Sequence, residues 1–180
     1  MKVNTTILPG VLMLEPEVFA DDRGFFLESY NRKMMAQAGI HDDFVQDNHS
    51  FSNHNVLRGL HYQLRFPQGK LVRVIVGEVL DVAVDLRRSS PAFGRWHAVR
   101  LSSENHRMMW IPAGFAHGFR VFSASAHVLY KTTSSYEREF ERTIAWNDPE
   151  LNIYWENCDP PIVSAKDKRG TLLREAEVFA

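Results

Sequence analysis

Short runs of period-two alternation dominate this chain and dictate its fold class. In the run from Val79 to Leu86, Leu80, Val82, Val84 and Leu86 share one face, Asp81 and Asp85 take the other, and Arg87-Arg88-Ser89-Ser90-Pro91 ends the run. Such alternation marks a β-strand, because successive side chains leave a pleated strand on opposite sides. The preceding run, 71–76, stops at Gly77-Glu78, and further strands are expected at 11–15, 24–30, 56–63, 95–102, 107–111, 117–123, 126–133 and 142–146. Turn residues separate these runs at the spacing of a sandwich or barrel, so the chain reads as all-β. One stretch, 31–38, reads as helix: Asn31 can cap it, most residues from Arg32 to Ala38 are sound helix formers, and Gly39 can end it.

Length and charge narrow the possibilities. A chain of 180 residues fits one domain, 1–180, able to bury roughly 70% of its unfolded surface without staples. The break at Asp159-Pro160-Pro161 is expected to introduce a C-terminal tail, about 160–180, that folds back on the barrel. Cys158 stands alone, so neither an intramolecular disulfide nor a zinc-binding Cys cluster is available, which suits a reducing cytoplasm. The start, Met1 to Thr6, is too polar for a signal peptide, and no apolar run approaches about 18 to 20 residues. A soluble cytoplasmic protein without a membrane partner is therefore expected. The 21 basic and 22 acidic residues nearly cancel, which argues against a nucleic-acid surface and leaves room for a local cation cluster gripping a small phosphate ligand.

A damaged metal-site pattern carries the chemistry. In many small double-stranded β-barrels of the cupin type, an H-x-H pair, a later Glu and a P-x-G-x-x-H supply the metal ligands. Here the last part is intact as Pro112-Ala113-Gly114-Phe115-Ala116-His117, but the first reads His61-Tyr62-Gln63, and Lys70, with six residues between it and Gly77, takes the acid's place. A protonated lysine has donors only and repels a cation, so no metal is expected. A pocket kept without its metal points to anion binding or proton chemistry. Of the eight histidines, His41, His49, His54, His97, His106 and His127 read as surface or hydrogen-bonded structural groups, whereas His61 and His117 lie in the pattern. Pro112 and Gly114 form a turn expected to place His117 at the mouth of a strand. Alternation would turn Arg58 away from His61 unless Gly59 introduces a bulge.

Across nearly its whole length the chain resembles the dTDP-4-dehydrorhamnose 3,5-epimerases. The resemblance runs through Asp22-Arg23-Gly24-Phe25-Phe26 with Glu28, Gln46-Asp47-Asn48-His49-Ser50, Val56 to Gln63 and Lys70 to Val74. It continues through Asp81 to Asp85, Ser90 to Gly94, Ile111 to Phe119, Tyr130-Lys131-Thr132-Thr133, Trp146-Asn147-Asp148-Pro149 and Ser164-Ala165-Lys166-Asp167. It implies a metal-free jelly roll of cupin type, needing no cofactor, in a homodimer that exchanges N-terminal strands. It also implies an isomerase of nucleotide-sugar metabolism, in the dTDP-rhamnose pathway. One departure stands out: where the family carries Trp-Pro before its last segment, this chain has Trp155-Glu156-Asn157-Cys158.

By that resemblance His61 is a general base oriented by Asp167, and Tyr130 is the acid on the opposite face of the sugar. Lys70 and Arg58 are the candidates to stabilise the enolate at the C4 oxygen, or else to bind the pyrophosphate. Arg23, Gln46 and Asn48 look like ligands of the nucleotide diphosphate, Arg23 reaching from a neighbouring subunit, with His117 as a further contact. Glu28 could accept the thymine N–H, and Phe26 (or Phe25) and Tyr136 could offer flat faces to the base. Phe25 and Phe26 alternate along one strand, so at least one of them is expected in the core. Three other readings stay open: a mono-epimerase acting at C3 or C5 alone, a sugar-nucleotide-binding protein or isomerase on the same scaffold, and a metal-dependent cupin oxygenase.

Overall fold

The computed structural model describes residues 1–156 and 159–180, so the last two residues of the departure at Trp155 to Cys158 lie outside the described residues. Its strands are β1 (Lys2–Thr5), β2 (Leu12–Glu15), β3 (Val18–Asp21), β4 (Gly24–Leu27), β5 (Gln46–Asn53), β6 (Leu57–Gln63), β7 (Lys70–Val76), β8 (Glu78–Asp85), β9 (Trp96–Ser102), β10 (Met108–Ile111), β11 (Phe115–Val121), β12 (Ser125–Thr132) and β13 (Glu141–Thr143). Helix α1 spans Arg32–Gln37, its start capped by the Asn31 side chain, which accepts the Lys33 and Met34 N–H groups. Gly39 follows it at a φ of 84°, the left-handed conformation that glycine adopts most easily.

The strands form two antiparallel sheets, ordered β1-β2-β10-β7-β12-β5 and β13-β6-β11-β8-β9, with β3 and β4 as a separate hairpin. This is an all-β jelly roll of cupin type. Sheets have two faces, and here apolar material covers both faces of each. Val72, Val74 and Val128 of one sheet meet Val79, Ala83 and Phe119 of the other in the central core. Leu80, Val82 and Val84 point out of the five-stranded sheet onto Leu151, Trp155 and Leu173 of the C-terminal segment. Leu14, Leu71 and Met108 point out of the six-stranded sheet onto Met35 and Ile40 around α1. The acidic face of β8 is thus not a solvent face: Asp81 and Asp85 are fully buried.

Register decides what enters the inter-sheet space. His117 pairs with His61 and Phe119 with Arg58, so β6 carries one residue more than β11 between those rungs. That bulge is the one expected at Gly59, and it turns Arg58 and His61 into the same cavity. Past Asp159 the chain returns along the five-stranded sheet through parallel bridges of Ile162 with Val56, Thr171 with Ile144 and Phe179 with Arg87. Buried Arg120 holds this return by donating to Asn55 Oδ1 and to the Asp159 carbonyl.

Several expectations need correction. Strands β1, β3 and β5 were not foreseen, and the strand expected at 24–30 ends at Leu27. His117 is not at the mouth of its strand but third in it, since β11 begins at Phe115. Neither Phe25 nor Phe26 is in the core; both lie exposed, at 60% and 66%, on the β3–β4 hairpin. Among the described residues no helix is long and apolar enough to cross a membrane.

Gly59 has a φ of 125°, and a Cβ there would lie 2.5 Å from Gly118 Cα and 2.9 Å from the His117 carbonyl oxygen. Backbone on both sides leaves nothing flexible to yield. Gly59→Ala is expected to destabilise the protein by about 3 kcal/mol, read as a lowered midpoint in chemical denaturation. An unchanged midpoint would contradict this account of the bulge.

Candidate active site

At one end of the inter-sheet space the inward-facing side chains change from apolar to polar, and a cleft opens. One part, about 270 Å³, is lined by residues that include Gln46, Asn48, His61, Lys70, Tyr130 and Tyr136. A second part, about 220 Å³, adds Ser50, Arg58, His117 and Lys166. His61, Lys70, Tyr130 and Glu141 line both parts, so the two meet at those side chains. His61 stands on the five-stranded sheet and Tyr130 on the six-stranded sheet, giving the cleft two facing walls.

His61 Nε2 lies 2.6 Å from Asp167 Oδ1. An ionised carboxylate only accepts, so Nε2 carries the proton and Nδ1 keeps the lone pair. Asp167 reaches this position on the returning C-terminal segment, where its own N–H donates to Ser164 Oγ at 3.0 Å. Burial pushes the Asp167 carboxyl up, but the His61 hydrogen bond and charge hold it below the ordinary carboxylate value. At His61, by contrast, burial wins: it lowers the imidazole below its usual 6.5, the Asp167 hydrogen bond and charge oppose it, and Lys166 and Lys70 add to the lowering. The resulting imidazole is neutral and basic at neutral pH.

Lys70 is buried, with Nζ 3.4 Å from the His61 carbonyl oxygen. Burial lowers its ammonium to about 8, against the pull of Glu141 and Asp81. It is therefore mostly charged at pH 7, in surroundings where one charge acts strongly. Burial raises the Tyr130 phenol, so it keeps its proton. Gln63, in the place of a second metal-binding His, is spent on structure: it donates to the Phe66 and Ser135 carbonyls and accepts the Glu137 N–H. Among the described residues, no group of three or more His, Cys, Asp or Glu side chains is placed to hold a metal ion.

The structure thus brings His61, Asp167, Tyr130, Lys70, Arg58, His117, Gln46, Asn48 and Tyr136 together. Arg58 is held by bonds to Ser52 Oγ and the Phe51 carbonyl. It leaves Arg23, Phe26 and Glu28 elsewhere: Arg23 is exposed and paired with Asp21 on the hairpin, and Glu28 accepts from Asn31. Neither Glu141 nor Lys166 was foreseen as a site residue. Glu141 accepts from Lys166 Nζ at 2.8 Å and from the Tyr136 hydroxyl at 2.9 Å. Burial raises its carboxyl, but Lys166 and Tyr136 outweigh that and hold it low. Lys166 sits in the same motif as Asp167 and could have been found there. Glu141 follows the charged residues 137–139 and Phe140, with no pattern to single it out.

Comparison with known proteins agrees over the whole chain. Residues 5–175 match the family described as dTDP-4-dehydrorhamnose 3,5-epimerase. The chain is 58% identical to the dTDP-4-dehydrorhamnose 3,5-epimerase of Pseudomonas aeruginosa, covering 99% of each chain. It is 54% identical to that of Shigella flexneri, again over 99% of each. The crystal structure of dTDP-6-deoxy-D-glucose-3,5-epimerase from Legionella pneumophila, in complex with dTDP-4-keto-L-rhamnose, superimposes with a TM-score of 0.95 at 48% identity. That match covers 98% of this chain and 94% of the other.

The His61 imidazole is expected to titrate below 6.5 in an NMR pH series, and lower still in Asp167→Asn, where the opposing carboxylate charge is gone. Titration above 6.5 in the wild type would contradict the balance in which burial wins.

Proposed function

The chain belongs to the dTDP-4-dehydrorhamnose 3,5-epimerase family, and on that premise we propose that it converts dTDP-4-dehydro-6-deoxy-D-glucose to dTDP-4-dehydro-L-rhamnose through enolates at C3 and C5. The C4 ketone acidifies the protons on both neighbouring carbons. His61 Nδ1 takes one of them, the electron pair moves into the C4 oxygen, and the imidazolium that forms is stabilised by Asp167. A proton returned from the other face then inverts the centre. Tyr130 is assigned that delivery: a buried phenol is a weak acid, but a carbanion-like enolate carbon is basic enough to take its proton.

Lys70 is assigned to the C4 oxygen. A fixed ammonium in a partly dry cleft stabilises the developing negative charge without having to reorganise. Arg58 and His117 border the same part of the cleft and are assigned to the anionic side of the substrate. Gln46, Asn48 and Tyr136 line the other part and are assigned to the nucleotide. The observation that carries the reading is the pairing of a carboxylate-oriented histidine on one wall with a protonated tyrosine on the facing wall.

The β3–β4 hairpin supports a homodimer with strand exchange. Phe19, Phe25 and Phe26 stand exposed on it beside Arg23, a surface that a second copy would cover. In such a dimer Arg23, Phe26 and Glu28 complete the partner's cleft. The whole chain then acts as a single epimerase domain, in the cytoplasm where nucleotide sugars are made.

Incubation of the dTDP-4-keto sugar in D₂O, followed by NMR, tests the reading. Deuterium is expected at both C3 and C5. Incorporation at one carbon would indicate a mono-epimerase, and none, with substrate intact, would reject enolisation. His61→Ala is expected to abolish exchange. Tyr130→Phe should keep exchange and lose inversion, and wild-type turnover in both variants would remove these assignments.

A further inference from the structure

A second histidine–carboxylate pair lies beside the first. His117 and His61 are cross-strand neighbours, and His117 Nε2 is 2.6 Å from Asp81 Oδ1. Asp81 is fully buried on β8 between Val79 and Ala83, both of the central apolar core, with Phe119 across from it in register. Its other oxygen is unusual. Among the described residues, Oδ2 of Asp81 is a buried side-chain atom without a hydrogen-bond partner. A carboxylate is not kept in an apolar core for packing, since an apolar side chain of similar volume would serve better there.

A charge that shares the His117 side of the cleft with it and feels its field explains its presence. Lys70 is buried in the same space, and the groups around it are His61, His117, Arg58, Tyr130, Glu141, Lys166 and Asp81. Of these only Glu141 and Asp81 oppose the loss of its proton. Glu141 is already engaged by Lys166 and Tyr136. Asp81 has an uncommitted oxygen.

We propose that Asp81 is a positioning residue for the reaction: one oxygen fixes the tautomer of His117, and the other supplies the buried counter-charge that keeps the Lys70 ammonium available to the oxyanion. With Nε2–H given to Asp81, His117 holds its Nδ1 for the cleft or its bound anion. The histidine that abstracts the proton and the cation that receives the charge thus each have a carboxylate behind them, supplied by different elements. The role assigned to Lys70 rests on the epimerase reading; the electrostatic coupling of Asp81 to Lys70 does not.

Asp81→Asn removes the charge while keeping an acceptor for His117, so it separates the two duties. Titration of the Lys70 side chain by NMR should give a midpoint near 8 in the wild type and one about a pH unit lower in Asp81→Asn. Because only charged Lys70 is competent, the alkaline limb of kcat/KM should move down by the same amount, and kcat/KM at pH 8 should fall by about fivefold. A merely structural Asp81 would lower stability or expression and leave both midpoints in place; unmoved midpoints overturn the proposal. If Asp81→Asn does not fold, the wild-type protein still decides: its His117 ¹⁵N signals should show the Nε2–H tautomer, and an Nδ1–H tautomer or an even mixture overturns the proposal. A wild type that exchanges neither C3 nor C5 would sink the epimerase reading alone, because the Lys70 and His117 titrations need no turnover.

Discussion

The Lys70 ammonium lies inside a β-sandwich, 3.4 Å from a single carbonyl oxygen, and placing a positive charge there is unfavourable unless acids surround it. Burial alone drives the group toward neutrality. The acids that resist come from elements far apart in the chain: Glu141 from β13 and Asp81 from β8. Each acid in turn engages another group, Lys166 for Glu141 and His117 for Asp81. The cleft is therefore a charge-balanced network rather than a set of independent ligands.

Backbone register gives that network its shape. One extra residue in β6 puts Arg58 and His61 on the same side, and the pairing of His61 with His117 sets two imidazoles next to each other. Neither imidazole is left free to choose a tautomer, because Asp167 holds one and Asp81 the other at 2.6 Å. Asp167 arrives only because the chain beyond Asp159 runs back over the five-stranded sheet, anchored by Arg120 and by Leu173 in the apolar layer. Tertiary packing far from the cleft thus fixes the orientation of the His61 imidazole.

What the sequence made legible follows from where its patterns are physical. Strands β7, β8 and β12 were readable because their alternation is apolar on at least one face, and α1 because Asn31 and Gly39 mark its ends. Strand β5 was not. Its inward residues Gln46, Asn48 and Ser50 face the cleft, so the apolar half of the alternation is missing at the place where function needs polarity. His61, Lys70 and His117 stood out because they break or complete a metal motif, and Asp167 because its motif resembles the family's. Glu141 stayed hidden, since a carboxylate among charged neighbours carries no signal until folding sets it beside Lys166. Phe25 and Phe26 misled through a sound rule: alternation puts one face of a strand inside only when the strand belongs to a packed sheet, and this hairpin stands apart from both.

The central claim is that a fixed protein cation does the work at the C4 oxygen that a metal does in barrels with the intact motif. Chemical rescue of Lys70→Ala tests it most directly. Turnover is expected to fall by about 10²–10³, and methylammonium should restore it by at least about tenfold in a saturable way, while an equal concentration of a neutral isostere should not. Substrate binding that stays intact with no rescue by any small ammonium ion, or rescue equal to that given by the neutral compound, would contradict the account.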